Sequence, residues 1–163
     1  MINNIDVTLR DGCYQNGFCF PSDYAAKQAQ ILTESSVEWI EIGYRNGSFK
    51  PIANVGITGL SPDGYIRYIQ NFALDVKIVV IAHLHNITTE YIQEMKANAL
   101  SMIRLCIKAD NQQPALELCK FTKSVGLRVI TDFVRVSQVA VNRLIEVALL
   151  CQNAGADILY LAN

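Results

Sequence analysis

Short β-prone runs alternate with helical patterns along this chain at a spacing of roughly 30 residues, and that rhythm limits the fold more than any other feature. The runs lie at 5–9, 38–44, 76–82, 101–107, 127–134 and 157–162. Between them, Ala25, Ala29 and Leu32 share one helical face, as do Ile92, Met95 and Ala99, and Ala115, Leu118, Cys119 and Thr122. The clearest stripe is Val141, Leu144, Ile145 and Ala148, which Ser137 is expected to open. A further helix is expected around Tyr65, Ile66, Ile69 and Phe72. Ser22, Thr88, Asp110 and Ser137 are candidate N-caps, because each side chain can accept a bond from an orphan N–H. Gly126 and Gly155 stand where helices should end. Gly43, Gly47, Gly56, Gly59 and Gly64 are expected to punctuate one long loop. Alternation of strand and helix is the signature of a parallel α/β protein, either a doubly wound sheet or a (βα)8 barrel.

Strand parity chooses between the two. A doubly wound sheet is covered on both faces, so its strands read as continuous apolar runs. Here Ile5, Val7 and Leu9 alternate with Asp6, Thr8 and Arg10. Ile40 and Ile42 alternate with Glu41 and Gly43, and Ile103, Leu105 and Ile107 with Arg104, Cys106 and Lys108. One face is greasy and the other carries charge. A barrel explains this, with the greasy face against helices and the polar face turned inward toward the catalytic mouth. The inward charges, Asp6 and Glu41 against Arg10 and Arg104, would neutralise one another. They read either as a structural ion cluster or as part of a site. With about six βα units, the fold class is α/β, an incomplete TIM-type (βα)8 barrel, and residues 1–163 are expected to be one partial catalytic domain.

Composition removes several classes of function. The 14 Lys+Arg against 15 Asp+Glu leave a net charge of −1 with no basic run, which argues against nucleic-acid binding. At 51% hydrophobic and 18% charged the chain is not disordered. No apolar stretch has the length of a membrane span, and the N-terminus lacks a signal-peptide core, so no membrane partner is expected. The cysteines, Cys13, Cys19, Cys106, Cys119 and Cys151, are scattered and form no CxxC. They read as reduced thiols in a cytoplasmic protein. No glycine-rich nucleotide fingerprint occurs.

The chemistry concentrates where the first run enters Thr8-Leu9-Arg10-Asp11-Gly12. At the C-terminal end of a barrel strand, adjacent Arg and Asp point at substrate. A carboxylate there suits a hard divalent cation, and a guanidinium beside it stabilises an oxyanion. Gly12 is expected to allow a sharp turn.

The stretch DVTLRDGCYQNGFCFPSDYAAKQAQIL, followed by VEWIEIGYRNG, resembles the N-terminal part of the DRE-TIM metallolyases. Those include HMG-CoA lyase, isopropylmalate and homocitrate synthases, pyruvate carboxyltransferases and 4-hydroxy-2-oxovalerate aldolase. Tyr14-Gln15-Asn16-Gly17-Phe18 is most similar to the aldolase-like branch. The resemblance implies a TIM barrel holding Mn²⁺ or Mg²⁺ and reacting through an enolate of a small 2-oxo acid substrate. It implies Asp11 as metal ligand, Arg10 at the enolate oxygen and Glu41 in the network that holds them. Where the aldolases carry a histidine just after Asp-Gly, this chain has Cys13-Tyr14, making Tyr14 the candidate acid–base or hydrogen-bonding group. Where the family has an aspartate the chain has Asn163, and the family's HxH of strand seven has no counterpart. His83 and His85 form an HLH, but after strand three; contact with substrate from the mouth is expected of them, and metal ligation less so. Arg45 is expected at the mouth, where it reads equally as a carboxylate-binding group or as solvated surface, and Arg104 as an inward substrate contact.

The leading expectation is therefore a metal-dependent aldolase or lyase acting on a 2-oxo acid. Its rivals are an acyl-CoA condensing enzyme and a non-catalytic truncated barrel that binds or self-associates. Six strands also raise the expectation that the chain is a fragment or a short relative. The isolated 163-residue chain is then expected to have no appreciable aldolase activity, and either to self-associate through its open edges as a homo-oligomer or to be part of a longer polypeptide.

Overall fold

A computed structural model describes residues 4–108 and 112–163. Asp110, a candidate N-cap, lies outside the described residues. The elements run β1 (Ile5–Asp6), α1 (Thr8–Asp11), α2 (Ser22–Glu34), β2 (Trp39–Tyr44), α3 (Ile57–Leu60), α4 (Asp63–Gln70), β3 (Lys77–Ala82), α5 (Thr89–Ala97), β4 (Met102–Ile107), α6 (Gln113–Ser124), β5 (Arg128–Phe133), α7 (Val141–Asn153) and β6 (Ile158–Leu161). All six strands are parallel and pair in sequence order, β1 to β6. The fold is α/β, a half-barrel corresponding to part of a TIM barrel.

The two faces of the sheet differ as the parity requires. Outward, Ile40, Ile42, Ile78, Val80, Ile103, Leu105 and Val129 join one large core with Ala25, Ala29, Ile66, Ile69, Ile92, Met95 and Cys119 from the helices. Burying each large aliphatic side chain contributes about 1.5–3 kcal/mol, so this layer carries most of the stability. Inward, Trp39, Val79, Met102 and Ile130 form an apolar bottom layer. Above it lie Glu41, Arg104 and Asp132, all buried. Above those, Cys13, Phe18, Tyr44 and Ile81 close the top.

Tyr44 reaches the inner face because the β2–β3 register slips between Glu41 and Tyr44. A bulge re-aims the side chains that follow it. Gly43 makes the bulge feasible. Its φ is +150°, and a Cβ there would stand 1.9 Å from the Thr58 carbonyl oxygen.

The first run departs from expectation. β1 stops at Asp6, and Thr8–Asp11 forms a helical turn. The Asp6 carboxylate accepts from the Thr8 N–H (3.1 Å) and from the Thr8 hydroxyl (3.1 Å), which turns the chain out of the extended state. Asp6 also accepts from Gln28 and takes no part in the inner ion cluster. Gly12 has ordinary helical torsions, φ −64° and ψ −20°. A Cβ there would approach the Phe20 ring at 3.3 Å, so close ring packing, not turning, uses the glycine.

The helix starts follow the expected caps only in part. Thr88 caps α5, accepting from the Tyr91 N–H. Ser22 is the first residue of α2, with Pro21 before it. Ser137 lies in a 3-10 turn, and α7 begins only at Val141. The stripe Val141, Leu144, Ile145 and Ala148 meets the core only in part: Leu144 packs against it, Val141 and Ile145 are 69% and 55% exposed, and the buried residues of α7 are Val147 and Cys151. α7 lies at the β6 end of the sheet, beside Leu159 and Leu161, which are also exposed. Of the glycines expected in one long loop, Gly43, Gly59 and Gly64 lie inside β2, α3 and α4. Gly126 and Gly155 follow helix ends with φ of +79° and +89°. No helix among the described residues is long and apolar enough to cross a membrane.

Candidate active site

The site lies at the C-terminal ends of the strands and is organised around Glu41. One oxygen of this fully buried carboxylate accepts from Arg10 Nε at 2.5 Å. The other stands 2.9 Å from Arg104 Nε, an ion contact whose angle falls short of a hydrogen bond. Arg10 arrives from the helical turn that Asp6 initiates, and Arg104 from β4. The far side of Arg104 meets the Tyr160 ring on β6, 4.7 Å from its centroid. Burial works against the Arg10 charge, but Glu41 outweighs it and raises the pKa, so the guanidinium stays protonated. Its NH1 donates to Asp11 at 2.9 Å.

Asp132 on β5 completes this layer, a residue that sequence reasoning missed. It is 5% exposed, and its Oδ1 has no hydrogen-bond partner. Its Oδ2 is 4.0 Å from Cys106 Sγ. Desolvation raises its pKa, opposed by Arg104 and Arg10. A signal for it exists in the sequence: Asp132 has the same parity in β5 as the inward Ile130. Burial and Asp132 together push the Cys106 thiol up to about 12, so it is a neutral group in the site. Burial pushes Cys13 likewise to about 12.

Above the ion layer opens a cleft of about 560 Å³, lined among others by Tyr14, Phe49, His83, His85, Lys108 and Arg135. Tyr14 is half exposed, and its hydroxyl is 2.9 Å from that of Tyr44. Burial and this bond raise the Tyr44 pKa, so Tyr44 stays protonated. His83 stacks on Tyr44 (centroids 5.6 Å) and on His85 (5.7 Å), and Phe49 packs edge-on to His83 at 5.6 Å. Burial, His85 and Lys108 lower the His83 pKa to about 4, so the imidazole is neutral at pH 7. The ion layer and the cleft adjoin, since Cys106 lines the cleft while feeling Arg104, Glu41 and Arg10.

The structure thus links Arg10, Asp11, Glu41 and Arg104 through ion pairs and gathers Tyr14, His83 and His85 on the wall of the cleft; the four ion-paired residues do not line it, and Cys106 stands between the two groups. Arg45 is elsewhere. It is buried, pairs with Asp63 (2.8 Å) and Glu94 (3.5 Å), donates to the Ser61 carbonyl and lies 5.3 Å from the Tyr91 ring centroid. Arg45 ties β2 to α4 and α5 and does not line the cleft. Asn163 does line it, and its side-chain oxygen accepts from the Ser137 N–H at 3.0 Å. Among the described residues no three His, Cys, Asp or Glu side chains converge as a metal site would require, and Asp11 is engaged by Arg10. These residues do not by themselves fit a divalent cation.

No family model matches the chain. It is 24% identical over 163 residues to a 4-hydroxy-2-oxovalerate aldolase of Carboxydothermus hydrogenoformans, covering 99% of this chain and 48% of that protein. A 4-hydroxy-2-oxovalerate aldolase of Chloroflexus aggregans is 25% identical over 161 residues, 97% of this chain and 46% of that protein. The chain therefore spans about half the length of the curated relatives it matches. Among solved structures, the carboxyl transferase domain of Rhizobium etli pyruvate carboxylase with 3-bromopyruvate superposes with a TM-score of 0.80 at 11% identity, over 99% of this chain and 30% of that one. The N-terminal domain of a candidate aldolase from Bacteroides vulgatus gives a TM-score of 0.73 at 24% identity, over 98% and 54%. These likenesses establish the half-barrel. The sequence match along the length of this chain is a distant homology to the 4-hydroxy-2-oxovalerate aldolases.

Proposed function

We propose that the chain supplies the substrate-binding half of a carbon–carbon lyase of the aldolase type, acting on a small 2-oxo acid through its enolate. The observation that carries this is the Arg10–Glu41–Arg104 bridge in the layer that adjoins the mouth cleft through Cys106. Breaking the bond between C3 and C4 of a 4-hydroxy-2-oxo acid sends its electron pair to the C2 carbonyl, leaving an enolate oxygen. A guanidinium already fixed by Glu41 meets that charge without reorganising, and such preorganised electrostatics often supplies more of an enzyme's rate than any other effect. Arg10 has this role, and Glu41 and Arg104 are positioning residues for it. The Tyr14 hydroxyl, oriented by Tyr44, acts as a relay: its own proton passes to C3 as its oxygen takes up the proton of the C4 hydroxyl, so the phenol is regenerated and the proton count is unchanged across the cleavage. His83, neutral and stacked, shapes the wall beside it.

An enolate site binds an enolate analogue better than the ketone. Calorimetry in the presence of a chelator should show oxalate, a planar analogue of the pyruvate enolate, binding more tightly than pyruvate. Arg10→Lys should remove that preference, because Lys lacks the planar fork. Equal affinities for the two ligands in the parent protein reject the reading.

A further inference from the structure

We propose that the mouth cleft accepts a 2-oxo acid whose tail bears a second anionic group, carboxylate or phosphate, received by Lys108 and Arg135. This names the substrate class of the lyase reading above and rests on it.

The first observation is size. A cleft of about 560 Å³ belongs to the range that holds extended ligands and leaves most of its volume empty around a three-carbon acid. The second is charge. The lining carries the cations Lys108 and Arg135 and the imidazoles His83 and His85, and no Asp or Glu side chain among the described residues lines it. Among the described residues neither Lys108 nor Arg135 has an acidic partner. The other clefted or buried cations do: Arg10 and Arg104 share Glu41, and Arg45 has Asp63 and Glu94. Lys108 is instead held over the Phe49 ring, 4.5 Å from its centroid. A ring face fixes a cation without neutralising it.

The third observation is backbone geometry. Arg135 sits at φ 60° and ψ 40°, the left-handed region that a side chain with a Cβ occupies only at an energetic cost. The turn that follows is tied to the end of β6, with Val136 N–H donating to the Ala162 carbonyl and Ser137 N–H to Asn163. The strained residue is therefore presented at the rim by fixed bonds. Apolar neighbours, Leu84, Val134 and Phe49, lower the local polarity and strengthen any ion pair formed there. The geometry divides the ligand between two ends: the 2-oxo head toward Tyr14 and Cys106, the side that adjoins the Arg10–Glu41–Arg104 layer, and the anionic tail toward Lys108 and Arg135.

Calorimetry on the whole chain tests this with probes matched in head and length. The probes are 2-oxoglutarate, its neutral-tailed isostere 5-methyl-2-oxohexanoate, and 2-oxo-4-phosphonobutanoate. Both anionic-tailed acids should bind at least about tenfold more tightly than the isostere, the gain of one charge-assisted contact. The tighter of the two identifies the tail as carboxylate or phosphate. Lys108→Met and Arg135→Asn should each shrink the ratio; asparagine tolerates the left-handed torsion, so the turn is kept. Equal affinity for all three probes, or a ratio untouched in both folded variants, overturns the tail site. Oxalate reports separately on the Arg10 end. Loss of the oxalate preference with the tail ratio intact rejects the enolate reading and keeps the tail site, and the reverse rejects the tail site alone.

Discussion

Two groups of cations occupy the same end of this half-barrel and are treated oppositely. In the ion layer, Arg10 and Arg104 share one buried carboxylate, and Arg104 is further covered by Tyr160. On the rim, Lys108 and Arg135 are exposed and face a cleft with no Asp or Glu side chain among the described residues of its wall. The contrast separates two tasks. A cation that must sit at one point while charge develops has to be fixed beforehand, so it is buried and paired. A cation that meets a ligand's tail has to be open before the ligand arrives. Burial also explains the asymmetry in energy, because an unpaired charge is tolerable in water and very costly inside.

The largest effect should come from breaking the ion layer. Glu41→Gln leaves Arg10 and Arg104 without their shared anion, and removing one partner of a buried pair typically costs about 3–5 kcal/mol. Urea unfolding should show a loss of that order. A loss close to zero would mean the bridge is not held in the folded chain.

Asp132 sharpens the comparison, because it lies in the same layer without a committed partner. Its folded pKa is raised above the ordinary 3.8, first by desolvation. Such a group contributes its stability below its unfolded value and loses it as pH rises through the folded value. Asp132→Asn should therefore leave the melting temperature at pH 7 equal to or above the parent's, with no gain at pH 4. A large drop at pH 7 would make Asp132 a necessary counter-charge for Arg104.

His83 should give a smaller, pH-dependent effect. Its folded pKa of about 4 lies below the ordinary 6.5. Above 6.5 both states are neutral and pH has no leverage through this group. Between 6.5 and about 4 the unfolded chain takes a proton that the folded one refuses, so stability falls as pH falls. Denaturation midpoints across this window should fall less in His83→Gln than in the parent. Parallel slopes would show that His83 is not held neutral.

The smallest effect concerns metal. With Asp11 engaged by Arg10 and no convergent ligand set among the described residues, Mn²⁺ titration of this chain should give no saturable sub-millimolar binding. Such binding in the parent, lost in Asp11→Asn, would restore Asp11 as a ligand.

Much of the site is legible from period alone. Alternation along 38–44 and 101–107 puts Glu41 and Arg104 on the inner face, and the strand–helix rhythm gives the parallel order. What the sequence hides depends on contacts distant along the chain or on which side of an element is covered. The run 5–9 alternates like a strand, but the Asp6 carboxylate caps the Thr8 turn and ends it. Arg45 reads as a mouth residue until Asp63 and Glu94 arrive from separate helices. The stripe on α7 has helical spacing, yet spacing does not say which face the sheet meets: Leu144 packs on the core while Val141 and Ile145 are exposed. Asp132 obeys the parity rule but is easily lost among the apolar residues of its strand.

The central claim is that Arg10, fixed by Glu41, stabilises an enolate, and exchange of the C3 protons of pyruvate in D₂O followed by NMR tests it most directly. Exchange in the presence of the protein should exceed the buffer rate. It should fall in Arg10→Lys by a factor corresponding to about 2–4 kcal/mol, with pyruvate still bound. An unchanged exchange rate in a folded Arg10→Lys protein, or no exchange above buffer in a parent protein that binds pyruvate, would contradict it.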